Sequence, residues 1–166
     1  MGVNLLIRPA VDDDWAGLWP VWHEVIAAGE TYPNDPATSS EAGKAMWFAP
    51  PPAFTWVAVD PDGQLVGTYQ LRPNQRLLGD HVANAGFMVA SRTRRQGIGR
   101  ALGLHCLDSA RGLGYRAMQF NAVVTTNIAS LNLWRSLGFI IVGTVPRGFR
   151  HAVHGEVDMH IMHRFL

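Results

Sequence analysis

An α/β domain with a mixed central sheet is what this sequence predicts: about seven strands, with about four helices on the two faces, residues 1–166 forming one unit. Three observations lead there. At 166 residues the chain suits one ordinary core and leaves no room for two. Its first half reads as two helical stretches and then a hairpin, and its second half as strand, helix, strand, helix and strand. Hydrophobic residues make up 48% and charged residues only 16%, so a sizeable core can be buried.

Residues 5–9 read as a short strand halted by Pro9. Asp12 or Asp13 is placed to cap a helix whose apolar positions, Trp15, Leu18, Trp19, Trp22, Val25 and Ile26, recur at helical spacing and end near Gly29. Pro20 lies inside it and predicts a kink or a later start. Ser39 or Ser40, with Glu41 close behind, caps a second short helix that the prolines at 50–52 stop. Residues 54–59 and 65–71 are strand-like, and Asp60-Pro61-Asp62-Gly63 between them is turn chemistry, so they form a hairpin. A polar loop over 73–80 leads to a strand at 82–89. A helix follows the glycine- and arginine-rich segment 91–100 and runs to about Arg111. Residues 118–124 read as a buried strand, Thr126 or Asn127 starts a helix that Gly138 ends, and 139–145 and 157–163 complete the sheet.

Composition narrows function. With 14 basic and 13 acidic side chains the net charge is +1, so no nucleic-acid partner is expected. One cysteine forms no internal disulfide. Asp12, Asp13 and Asp14 stand where a secretory signal would be apolar. The uncharged run 117–134 holds Gln119, Asn121, Asn127 and Asn132, and 45–59 is broken by prolines, so neither suits a membrane. The expectation is a soluble cytoplasmic protein.

The most informative segment is Arg94-Arg95-Gln96-Gly97-Ile98-Gly99-Arg100, between a strand and a helix. Gly97 and Gly99 clear side chains where backbone turns tightly and approaches a ligand. Free N–H groups and the dipole at a helix start favour phosphate, and the surrounding arginines, Arg92 included, add positive charge. A pyrophosphate suits this geometry best. A P-loop would need Gly-Lys-Ser/Thr where Gly99 is followed by Arg100 and Ala101, and the nicotinamide fingerprint would need a third glycine. An ordinary strand–helix turn with exposed arginines remains the alternative.

Together with the segment that follows, this stretch resembles the GNAT superfamily of N-acetyltransferases. Arg94, Gly97 and Gly99 match its Arg/Gln-x-x-Gly-x-Gly/Ala hallmark after the strand ending Met88-Val89. Asn127, Ser130, Leu133, Trp134 and Leu137-Gly138-Phe139 match its second. The resemblance implies acetyl-CoA as co-substrate and no metal. The main chain of Phe87, Met88 and Val89 would pair with the pantetheine arm. The loop Arg94, Arg95, Gln96, Gly97, Ile98, Gly99 and Arg100 would cradle the pyrophosphate, and Asn127, Ser130 and Trp134 would complete the donor site. An arm carrying two amides suits an unpaired strand edge, and N–H groups aimed at the thioester carbonyl would stabilise its oxyanion. Many members place a tyrosine where this chain has Trp134; indole donates a hydrogen bond but is no acid near neutral pH. Homodimers are common in the family.

The acceptor side is less legible. Glu24, Glu30, His81, Glu156 and Asp158 are candidate bases for deprotonating an amine, without decisive spacing. Asn84 and Asn121 stand on otherwise apolar strands, as satisfied core amides or as substrate ligands. The stretches around Asn84-Ala85-Gly86-Phe87, residues 120–134 and Val142-Gly143-Thr144-Val145-Pro146 look like the fungal acetyltransferases of proline analogues such as azetidine-2-carboxylate, which share the tryptophan. By that resemblance Asn84 and Asn121 orient a small amino-acid-like acceptor while water relays the proton. Acceptors at protein N-termini, a xenobiotic amine such as phosphinothricin, or a non-catalytic acyl-CoA sensor are the competing readings. His151, His154, His160 and His163 lack the spacing for a shared metal. Cys106 reads as a small buried hydrophobe. Trp15, Trp19 and Trp22 read as core or acceptor pocket, and Trp47 with Phe48 as an acceptor-side wall or packing.

Overall fold

The first strand is stitched to the first helix by charge. In the computed structural model, which describes residues 4–166, the Arg8 guanidinium on β1 (Leu6–Pro9) donates to both carboxylate oxygens of Asp14 at 2.7 Å. This bond corrects the expected cap. Asp12–Asp14 forms a short 3-10 turn, α1 (Trp15–Ala27) begins after it, and no aspartate side chain caps α1. Pro20 is carried as the sixth residue of that helix. Trp15, Leu18, Val21, Trp22 and Ile26 bury its inner face. Helix α2 (Ser40–Trp47) is capped as its sequence suggests: Ser39 Oγ accepts the Ala42 N–H at 3.2 Å.

Strands β2 (Phe54–Val59) and β3 (Leu65–Pro73) form the expected hairpin, and β4 (Val82–Val89) pairs antiparallel with β3 throughout. Helix α3 (Ile98–Gly112), β5 (Ala117–Val124) and α4 (Ile128–Ser136) follow. The last two strands are longer than expected, β6 (Ile140–His151) and β7 (Gly155–Phe165), because a long irregular hairpin continues past Pro146. The sheet is seven-stranded in the order β1-β2-β3-β4-β5-β7-β6.

Helices α1 and α2 cover one face with the tryptophan-rich cluster, Trp47 and Met88 among its members. The other face carries the larger core of α3 and α4, where Gly103 allows close approach: a Cβ there would lie 2.8 Å from Leu137 Cδ1. One break in the sheet decides everything that follows. Strands β4 and β5 are parallel neighbours, but they pair only at Val82↔Ala117 and Ala83↔Met118. Beyond Ala83 they part, leaving a strand edge in the middle of the molecule.

Candidate active site

Alternation along β4 sets what that open edge offers. In an antiparallel pair, successive residues turn their N–H and C=O groups alternately toward and away from the partner strand. The N–H and C=O of Phe87 both face away from β3, since both bond the hydroxyl of Tyr32: the Phe87 N–H donates to Oη at 2.7 Å and Oη donates to the carbonyl at 2.9 Å. Val89, two residues on, shares that orientation. Met88 lies between them, with its main chain toward β3 and its side chain buried in the α1/α2 cluster. So of the three strand residues expected to meet the pantetheine arm, Phe87 and Val89 present backbone to the gap and Met88 does not.

At the far end of β4 the chain turns into α3. Gly97 takes φ 82° as the residue preceding the helix, and Arg95 also has positive φ, 65°. The first helical bond is donated by Ala101 to the Gly97 carbonyl. The N–H groups of Gly97, Ile98, Gly99 and Arg100 thus have no acceptor within the helix. Arg94, Arg95, Gln96 and Gly97 are exposed, whereas Ile98 is buried and anchors the turn. A Cβ on Gly99 would meet Leu133 of α4 at 3.4 Å, so this glycine lies where two helices approach each other. Two neighbouring arginines are already engaged, Arg92 with the Leu65 carbonyl and Arg100 with Ser136 Oγ.

Across the gap, Asn127 caps α4: its Oδ1 accepts the Ser130 N–H at 3.2 Å, a bond that does not use its amide nitrogen. Trp134 is buried, its ring 4.8 Å from Phe87 and 4.7 Å from Phe120. It packs as a wall of the gap.

Asn84 and Asn121 are brought together, by a residue whose role the sequence does not disclose. Asn74 Oδ1 accepts from Asn84 Nδ2 at 3.1 Å and from Asn121 Nδ2 at 2.7 Å. Asn121 reaches it because pairing of β5 with β7 is interrupted between Phe120 and Val123, and such a bulge re-aims a side chain. The triad opens on a cleft of about 580 Å³ lined by Arg72, Asn74, Gln75, Arg76, Asn84 and Asn121, with Pro50, Pro52, Ala53 and Pro73 as apolar walls. Nothing in the polar loop at 73–80 has periodicity, so it reads as a linker until the fold places it here.

None of the five candidate bases lines that cleft. Glu24 accepts from the N–H and Oγ of Ser91 at 2.7 and 2.9 Å, and an Asp158 carboxylate oxygen accepts the Arg147 N–H at 2.8 Å. His81 sits at the closed end of the β4–β5 pair, where its carbonyl accepts from Arg116. Glu156 lies opposite Arg150 on the terminal hairpin, and Glu30 in the loop after α1. Trp47 is buried: its Nε1 donates to Thr68 Oγ1 at 3.0 Å and its carbonyl accepts from Gln70 and Thr55. Burial in the α3 core pushes the Cys106 thiol far above its ordinary pKa, as expected of an inert sulfur. Among the described residues no helix is long and apolar enough to cross a membrane.

Known proteins share this fold. Residues 16–139 match the model of the acetyltransferase (GNAT) family. The N-acetyltransferase aca1 of Schizosaccharomyces pombe is 30% identical over 151 residues, covering 82% of this chain and 72% of that protein. The structure of a GCN5-related N-acetyltransferase from Kribbella flavida is 47% identical, with a TM-score of 0.93 over 98% of both chains. A phosphinothricin acetyltransferase from Sinorhizobium meliloti, solved in complex with acetyl-CoA, is 21% identical with a TM-score of 0.87, over 99% of this chain and 89% of that one; it shares the fold. With its sheet parted beside a glycine–arginine helix entrance, the chain belongs to the acetyltransferase (GNAT) family and is an acetyl-CoA-dependent N-acetyltransferase.

Proposed function

We propose that the acceptor is a small amine bearing its own carboxylate, an amino-acid-like molecule, acetylated directly without a covalent acetyl-enzyme. The observation that carries this is the lining of the cleft beside Asn84: Arg72, Arg76 and four side-chain amides, with no carboxylate among the described residues. Guanidinium groups select an anionic partner and repel a cationic polyamine. Amides orient an amine without holding it as an ion pair, which matters because only the deprotonated amine attacks.

The donor reading is built from this chain's residues. The pyrophosphate is held at the N–H groups of residues 97–100 with Arg94 and Arg95 beside it. The arm pairs with the outward main chain of Val89 and Phe87 and with Asn127. From Val89 to Asn84 is five strand residues, about 16 Å. Phosphate end and acceptor cleft therefore bracket the backbone at Phe87, whose N–H points into the gap and polarises the thioester carbonyl. Asn84 and Asn121, steadied by Asn74, position the amine, and water takes its proton. Orientation and fixed backbone dipoles supply most of the rate.

The test is thiol release from acetyl-CoA with separate panels of free amino acids, polyamines, N-terminal peptides and phosphinothricin-like amines. Highest kcat/KM for a free amino acid is expected. Faster turnover of peptides or polyamines than of any carboxylate-bearing small amine would sink the acceptor assignment.

A further inference from the structure

Donor docking and acceptor cleft leave one polar group at the gap without a task, the phenol of Tyr32. It arrives from the loop between α1 and α2, and its Oη occupies both hydrogen-bonding groups of Phe87 as a neighbouring strand would. Its place is built. The ring meets Trp47 edge-on at 6.3 Å, and Trp47 is itself fixed by its bonds to Thr68, Gln70 and Thr55. A Cβ at Gly86 would lie 3.1 Å from Oη and 3.2 Å from the Trp47 ring, so a glycine is what leaves the phenol its path to the strand edge. Burial raises the pKa of Tyr32, so the phenol keeps its proton through the neutral range. Among the described residues, no other phenol, thiol or carboxyl group bonds the open edge of β4.

The chemistry at that edge needs a proton donor. When the thioester breaks, the sulfur receives the bond's electron pair in a gap walled by Phe87, Phe120 and Trp134. Those rings offer no cation, and an unpaired anion there is costly. We propose that Tyr32 is a catalytic residue of acetyl transfer, giving its hydroxyl proton to the departing CoA sulfur; the assignment rests on the donor reading above. The thioester carbonyl, arriving at the Phe87 N–H, displaces the phenol from Phe87 by one hydrogen-bond length and leaves it beside the reacting carbon. The amine nitrogen bonds that carbon and the carbon–sulfur bond breaks. The sulfur takes the proton of Tyr32 Oη, and the phenolate regains one from the attacking nitrogen through water. Amide and thiol are the products, and Tyr32 is restored.

Tyr32→Phe keeps the ring and removes only the donor. With the best acceptor, its kcat is expected to fall about 100-fold, while calorimetry finds its Kd for acetyl-CoA within about threefold of wild type. A thioester of an aromatic thiol, whose sulfur leaves without a proton, separates the roles: the two enzymes should use it at rates within about threefold. Equal losses on both donors would overturn the proton-donor assignment in favour of a packing or carbonyl-binding role. Unchanged turnover of acetyl-CoA by the variant would overturn it as well. Wild-type protein that takes up no acetyl-CoA would instead defeat the donor reading, and this assignment with it.

Discussion

Asn74 shows how a single side chain can join two elements. It lies just past the end of β3, yet its one carbonyl oxygen accepts from amides on β4 and β5, the two strands that part. Asn74→Ala leaves both amides free to rotate and removes two bonds, one to the half-buried Asn84 and one to the exposed Asn121, each worth about 0.5–1.5 kcal/mol. The expected outcome is a tenfold to hundredfold lower kcat/KM for the acceptor, with acetyl-CoA affinity unchanged by calorimetry. Asn84 and Asn121 were visible in the sequence as polar residues on apolar strands. Asn74, Arg72 and Tyr32 were not, because each stands in a polar or irregular stretch where an amide, guanidinium or phenol is unremarkable. Nor did spacing expose Glu24 and Asp158 as already bonded, since their partners Ser91 and Arg147 are distant in sequence.

At the scale of elements, the turn into α3 and the joint between β1 and α1 make separate predictions. Gly97 holds φ 82°, which an L side chain adopts at a cost of about 1–2 kcal/mol. Gly97→Ala should lower thermal stability by a few degrees. It should also raise the Kd for acetyl-CoA about tenfold or more, as the N–H groups at the helix entrance lose their alignment. The Arg8–Asp14 bridge answers to pH. Bonds from Arg8 and the Val11 N–H hold the Asp14 carboxyl below its ordinary pKa in the folded protein. A depressed carboxylate pKa contributes stability that is fully present above the unfolded-state value, near 4, and is lost as pH falls through the folded value. Asp14→Asn should therefore be less stable by about 1 kcal/mol at neutral pH. The gap from wild type should close as pH drops below 4 in denaturant titrations.

At the scale of the whole molecule, function follows from an incomplete sheet. Among the described residues seven strands are present, but the central parallel pair holds for only two residues at each strand. An edge strand left in the interior would ordinarily be a liability; in the function proposed above, it offers main-chain groups to a ligand arm flanked by two helix starts. The sequence by itself determined the element order, the hairpin, the glycine–arginine turn and a start of α4 at Thr126 or Asn127, because those depend on short-range periodicity, turn chemistry and free helix-end groups. It set the terminal hairpin too short and assigned α1 an aspartate cap that it lacks, and it left open which residues line the cleft beside Asn84. Tertiary structure decided these. Which way a strand residue turns its backbone, and which loop amide reaches across a gap, depends on pairing between segments far apart in the chain, and no local pattern encodes that.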